Sequence, residues 1–142
     1  MAEAQKFNFE LVSPEKVLMS EPAWQVVIPG EEGYFGVRAG HMSLIAAIKP
    51  GVVEVYKAEG ATPEKIFIAG GFADVTATNC SVLAEQAVNV NEINAADVQK
   101  DIANLKDELN LATDAADKAV IQNKIAMATL KLQAVQPSAA AH

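Results

Sequence analysis

Hydrophobic residues alternate with polar ones through roughly the first 90 positions, then switch to a spacing of three and four. "KFNFELV" sets Phe7, Phe9 and Leu11 on one face, and "AWQVVIP" does the same with Trp24, Val26 and Ile28. "VVEVYK", "EKIFIAG", "FADVTAT" and "CSVLAEQ" follow at close intervals, separated by "SPE", "PGEEG", "KPG", "EGATPE" and "AGG". Short β-branched or aromatic runs punctuated in this way predict an all-β sandwich or barrel. Gly70-Gly71, between "IFIA" and "FADV", reads as a tight hairpin turn.

Beyond Asn91 the period is helical. Val98, Ile102, Leu105, Leu109 and Ala112 step by four and three, and Ile121, Ile125, Ala128, Leu132 and Val135 repeat the rhythm. The spacing predicts helices over 95–111 and 115–135, with Asn94 and Asp114 as N-caps and Asp97 and Asp117 in the first turns. The short connection makes them an antiparallel hairpin, sealed by Val98, Ile102, Leu105, Leu109, Ile121, Ile125 and Leu132. A further stripe on the second helix, Val120, Met127, Leu130 and Ala134, calls for a second surface. Pro137 ends the helix, and 137–142 is expected to be a flexible tail. The reading is therefore a β-sandwich over 1–90 and a helix hairpin over 91–136.

Composition sharpens the split. All eight glycines and all eight aromatic residues lie at or before Phe72. A net charge of −7, with Arg38 the single arginine, argues against nucleic acid, which demands clustered cations. The lone Cys80 excludes an internal disulfide and reads as a small core filler. "MAEAQKFNFELVSPEK" lacks the apolar stretch of a secretory leader, and no run approaches the roughly 20 apolar residues that span a bilayer. Membrane association is expected only through a partner.

Chemistry is hard to place. One internal histidine and one cysteine make a metal site improbable, and no cofactor motif is present. His41 and Ser43 share a segment but no nucleophile elbow surrounds them. Catalysis is not expected. A glycine-rich excursion remains, from Pro29 to Gly51. Plain turn geometry explains it as readily as a surface gripped by another protein, with Tyr34, Phe35, Met42 and Leu44 as apolar contacts and Arg38 and His41 as polar anchors.

The blocks "SPE", "PGEEGYFGV", "GHMSL", "IKPGVV", "GGFADV" and "VLAEQA" occur in an order that resembles the epsilon subunit of F-type ATP synthases, the counterpart of the mitochondrial delta subunit. The resemblance implies a ten-stranded β-sandwich with a C-terminal helix hairpin and a non-catalytic place in the central stalk. The partners it implies are the gamma subunit, the polar loops of the c-ring and, through the hairpin, the alpha/beta catalytic head. The c-ring contact it implies falls on Glu31, Glu32 and Tyr34, and the segment from His41 to Ala46 lies toward gamma and the ring. The implied location is the cytoplasmic face of a bacterial inner membrane, or the matrix side in an organelle.

Three departures stand out. Tyr34 replaces an acidic residue common in bacterial relatives, and Arg38-Ala39 replaces an apolar residue and proline before "GH". Many bacterial relatives also carry an Arg-Ala motif for ATP at the start of the first helix; "INAADVQKDIANL" has no arginine, so weak or no ATP binding is expected. Whether the hairpin inhibits hydrolysis or stays folded is left open by the residues. A stand-alone β-sandwich binding module with a helical dimerisation tail is the alternative.

Overall fold

The computed structural model describes residues 5–135. They form two compact units that divide between Asn89 and Val90. The first contains ten strands: β1 (Phe7–Val12), β2 (Val17–Ala23), β3 (Gln25–Gly30), β4 (Gly33–Val37), β5 (Leu44–Ile48), β6 (Gly51–Tyr56), β7 (Glu64–Ile68), β8 (Gly71–Val75), β9 (Asn79–Ala84) and β10 (Ala87–Asn89). The hydrogen-bonded order is β10-β7-β6-β3-β5-β8-β9-β1-β2, with β4 on β3. Only one residue pair, Gly30 with Ile48, joins β3 to β5. The sheet bends there into two layers, whose inner faces share one hydrophobic core.

Alternation decides which side chains enter that core. Phe7, Phe9 and Leu11 are buried from β1, Val53 and Val55 from β6, Val75 from β8, and Cys80 and Val82 from β9. These strands carry their buried apolar residues two apart, so one face is dry and the other faces outward, whereas β7 buries Ile66, Phe67 and Ile68 in succession. Cys80 is a core filler as expected, and burial pushes its thiol up to about 12, with the Asp74 carboxylate adding to the shift.

Two sequence expectations need correction. Gly70-Gly71 is not a hairpin: β7 pairs with β6 and β10, whereas β8 pairs with β5 and β9. The chain crosses from one layer to the other at this point. Gly70 and Gly71 take φ of +109° and +152°, and a Cβ on Gly71 would run into Leu83 O and lie 3.1 Å from Ala84 Cα. A side chain is excluded by both backbone and space. Trp24 is the second. It shares the spacing of Val26 and Ile28 but falls between β2 and β3 and stays half-exposed, so it is no core residue. Its N–H donates to Tyr56 O at 2.8 Å, which anchors the bend.

The second unit opens with a 3-10 turn at Val90–Glu92, followed by α1 (Ala95–Leu111) and α2 (Ala115–Val135). Both helices have the predicted bounds. Asn94 Oδ1 accepts from the N–H of Ala96 and Asp97 at 2.9 and 3.2 Å, and Asp114 Oδ1 from that of Ala116 at 2.9 Å. These bonds satisfy donors that no helical carbonyl can reach. Ile102, Leu105, Leu109, Ile121, Ile125 and Leu132 are half-buried and Val98 is buried. The further stripe on α2 is uneven: Met127, Leu130 and Ala134 are half-buried while Val120 is exposed. The region 137–142 lies outside the described residues.

Candidate partner-docking surface

The β3–β4 hairpin carries the acidic tip of the glycine-rich excursion. Val26 pairs with Val37 and Gly30 with Gly33, leaving Glu31 and Glu32 at the turn. Neither glutamate has a positive φ; Gly33, at φ +132°, absorbs the reversal instead. The tip is tied down from below. Glu31 N–H donates to Ala47 O at 3.1 Å, and Lys49 N–H donates to Pro29 O at 2.9 Å. Both carboxylates therefore stand exposed on a fixed backbone, and among the described residues neither has an ion-pair partner.

Between this hairpin and β5 runs an open cleft of about 660 Å³, lined by residues that include Glu31, Glu32, Tyr34, Phe35, Leu44 and Ile45. Tyr34 is 60% exposed, and its ring lies 5.8 Å from Lys49 Nζ, at the outer limit of a cation–π contact. Phe35 departs from expectation: it is half-buried and packs against the core, so it forms the floor and not a free contact. The cleft joins two carboxylates to an apolar wall. Such a surface suits a partner segment carrying both a cation and apolar side chains.

Arg38 and His41 stand elsewhere. They line a shallower cleft of about 290 Å³ with Gln25, Gly36, Ala39 and Gly40. His41 Nδ1–H donates to Met42 O at 2.7 Å, so the ring is held by its own loop and is not aimed at Ser43. Met42, next to His41 in the chain, is 82% exposed. The seven predicted contact residues thus divide into an acidic-apolar group (Glu31, Glu32, Tyr34, Leu44) and a polar group (Arg38, His41) beside Met42. Among the described residues no three His, Cys, Asp or Glu side chains are grouped to hold a metal ion.

Sequence reasoning covered Ile45 only within the segment from His41 to Ala46 and did not single it out; it is 75% exposed, and counting in twos from buried Ile48 sends it outward. Phe72 was missed for a related reason. The register Ala47↔Phe72 and Phe72↔Leu83 puts exposed Phe72 and Leu83 on the same outer face, and only the strand pairing reveals that. Lys49 was also overlooked, since nothing local links it to Tyr34.

Residues 6–90 match the family model described as ATP synthase, Delta/Epsilon chain, beta-sandwich domain. The chain belongs to this family. A relative from Rhodospirillum centenum, named ATP synthase epsilon chain, is 39% identical over 136 residues, 93% of either chain. One of the same name from Brucella anthropi is 47% identical over 110 residues, covering 78% of this chain and 81% of the relative. Among solved structures, a chain of the Euglena gracilis mitochondrial ATP synthase (OSCP/F1/c-ring, rotational state 1) superposes with a TM-score of 0.75 at 26% identity. That match covers all of this chain and 85% of the other. Homologues and structural neighbours alike indicate an epsilon-type subunit of ATP synthase. No helix among the described residues is long and apolar enough to cross a membrane.

Proposed function

We propose that this chain is a non-catalytic rotor subunit of a proton-translocating F-type ATP synthase, linking the gamma subunit to the c-ring. The observation that carries this reading is the match to the Rhodospirillum centenum epsilon chain over 93% of both proteins, which includes the sandwich and the hairpin together. A rotor part must pass torque without slipping, and a two-layer β core with fixed turns supplies a stiff body. Glu31, Glu32, Tyr34 and Leu44 meet the polar loops of the c-ring; Arg38, His41 and Met42 meet the neighbouring stalk surface. The subunit is peripheral, on the cytoplasmic face of a bacterial inner membrane or the matrix side in an organelle, and no cofactor takes part.

The hairpin is the regulatory element of this reading. Ile121, Ile125 and Leu132 are half-buried, so moving each from one apolar surface to another exchanges less than the roughly 1.5–3 kcal/mol of full burial, which keeps two placements close in free energy. One placement reaches the alpha/beta head and inhibits hydrolysis. ATP does not control it: α1 offers Lys100 and no guanidinium for phosphate. Millimolar ATP should leave the melting temperature of the isolated subunit unchanged, and a saturable rise would contradict this.

The docking role is tested in reconstituted vesicles with the double variant Tyr34→Ala, His41→Ala. Proton pumping driven by ATP hydrolysis should fall while hydrolysis itself and the melting temperature of the subunit hold. Normal pumping in a normally assembled complex would remove the excursion from the mechanism.

A further inference from the structure

Arg38 is the only arginine in a chain of net charge −7. Its guanidinium is nonetheless held by two neutral groups. It lies 4.2 Å from the centroid of the Trp24 ring, and its Nε–H donates to Gln25 Oε1 at 3.1 Å. Among the described residues no carboxylate pairs with it, and none lines the cleft in which it sits. A lysine-like surface charge would wander; stacking and the Nε bond fix the plane of this one. With Nε engaged, the terminal Nη groups remain as a parallel pair of donors.

The backbone beneath is equally fixed. His41 N–H donates to Arg38 O at 3.1 Å, and Gly40 N–H donates to Ala77 O at 2.7 Å, which ties the turn to the neighbouring strand connection. Preorganised donors bind with less ordering cost than mobile ones. An oriented guanidinium edge in a neutral cleft fits a carboxylate, which takes two parallel N–H bonds.

We propose that the Arg38 cleft is a receptor for an aspartate or glutamate side chain of the adjoining stalk protein. The inference rests on the docking role above and names the chemistry of one contact within it. Two features favour a protein carboxylate over a free anion. The cleft, about 290 Å³ and open, falls below the range of small-molecule pockets, and Arg38 already covers one face of the Trp24 ring. Exposed Met42 follows His41 of the cleft lining in the chain, and an apolar residue near a cation is what a protein interface uses and a dissolved anion does not.

The test uses the assembled ATP synthase carrying wild-type chain, R38K or R38Q, washed with rising NaCl, with the retained subunit quantified. R38Q should bind about fivefold or more weakly than wild type, the size of one lost charge-assisted pair, and R38K should fall between them. Melting temperatures of the isolated subunits should differ by no more than the few degrees that one exposed cation–π stack contributes. Equal retention of wild type and R38Q overturns the carboxylate receptor while leaving the stalk role intact. A wild-type chain that never joins the complex overturns both. In a parallel arm, the Arg38 Nε–H resonance of the isolated chain is followed during titration with sodium phosphate and with sodium acetate. Saturation by phosphate at low millimolar concentration would assign a free-anion site and overturn the proposal; weak, unsaturated shifts with both agree with it.

Discussion

At Gly71 a single added methyl group would meet the Leu83 carbonyl, in a backbone conformation that side chains avoid. Gly71→Ala should therefore cost about 2–4 kcal/mol, whereas Gly33→Ala, at φ +132° but pointing into open space, carries the backbone strain alone and should cost less, about 1–2 kcal/mol. Urea midpoints of the two variants measure the difference. Cys80 gives a second prediction. Its thiol rises from 9.0 to about 12 on burial, so the folded chain holds the proton that the unfolded chain releases. Stability is unaffected below about pH 9 and falls above it, by up to about 1.4 kcal/mol per pH unit for one group. Cys80→Val should remove that part of the alkaline decline, as equilibrium unfolding between pH 8.5 and 10.5 would show. Both residues were partly legible. Alternation placed Cys80 inside, but the same rule wrongly drew Trp24 inward, because a residue between two strands keeps the spacing without keeping the face. Gly70-Gly71 showed that the chain turns, and nothing local told a hairpin from a change of layer.

Helices were the easiest elements to read, because their contacts and caps are local in sequence. Asn94 and Asp114 announce the starts, and a four-three apolar rhythm sustains each run. Asn94→Ala should cost about 1 kcal/mol in the second unit, since two backbone donors lose their acceptor. Its first effect should be faster amide exchange at Ala96 and Asp97, and unchanged protection there would contradict the cap. Six of the ten strands, β1, β3, β6, β7, β8 and β9, were readable as alternating runs. β2 and β10 were not, β4 and β5 were hidden in the glycine-rich excursion, and no strand's partner was readable. β1 runs parallel to β9, with Phe9 opposite Cys80 across 71 positions of sequence, and no turn residue specifies such a pairing. The candidate surface inherits that gap: Glu31, Glu32 and Tyr34 come from one hairpin and were readable, while Phe72 joins Ile45 on the outer face only through the β5–β8 register.

For the molecule as a whole, the family and the docking role make different demands on the same sequence. Family membership follows from residues 6–90 and from a relative that matches over 93% of both chains. The proposed role rests on a stiff β body that would present an acidic-apolar cleft and a cationic one to separate neighbours, with the helical unit proposed as the regulator. Deleting the chain after Asn91 should raise ATP hydrolysis by the complex and leave assembly intact; no rise would deny the hairpin an inhibitory part. The central claim is attachment to the rotor. It is tested most directly by extracting the membranes in mild detergent, capturing the affinity-tagged full chain, and identifying what stays bound after washing. The gamma subunit should be recovered in equal amount with this chain, together with the catalytic head and the c-ring. Recovery of the chain alone, or only paired with itself, would contradict the account.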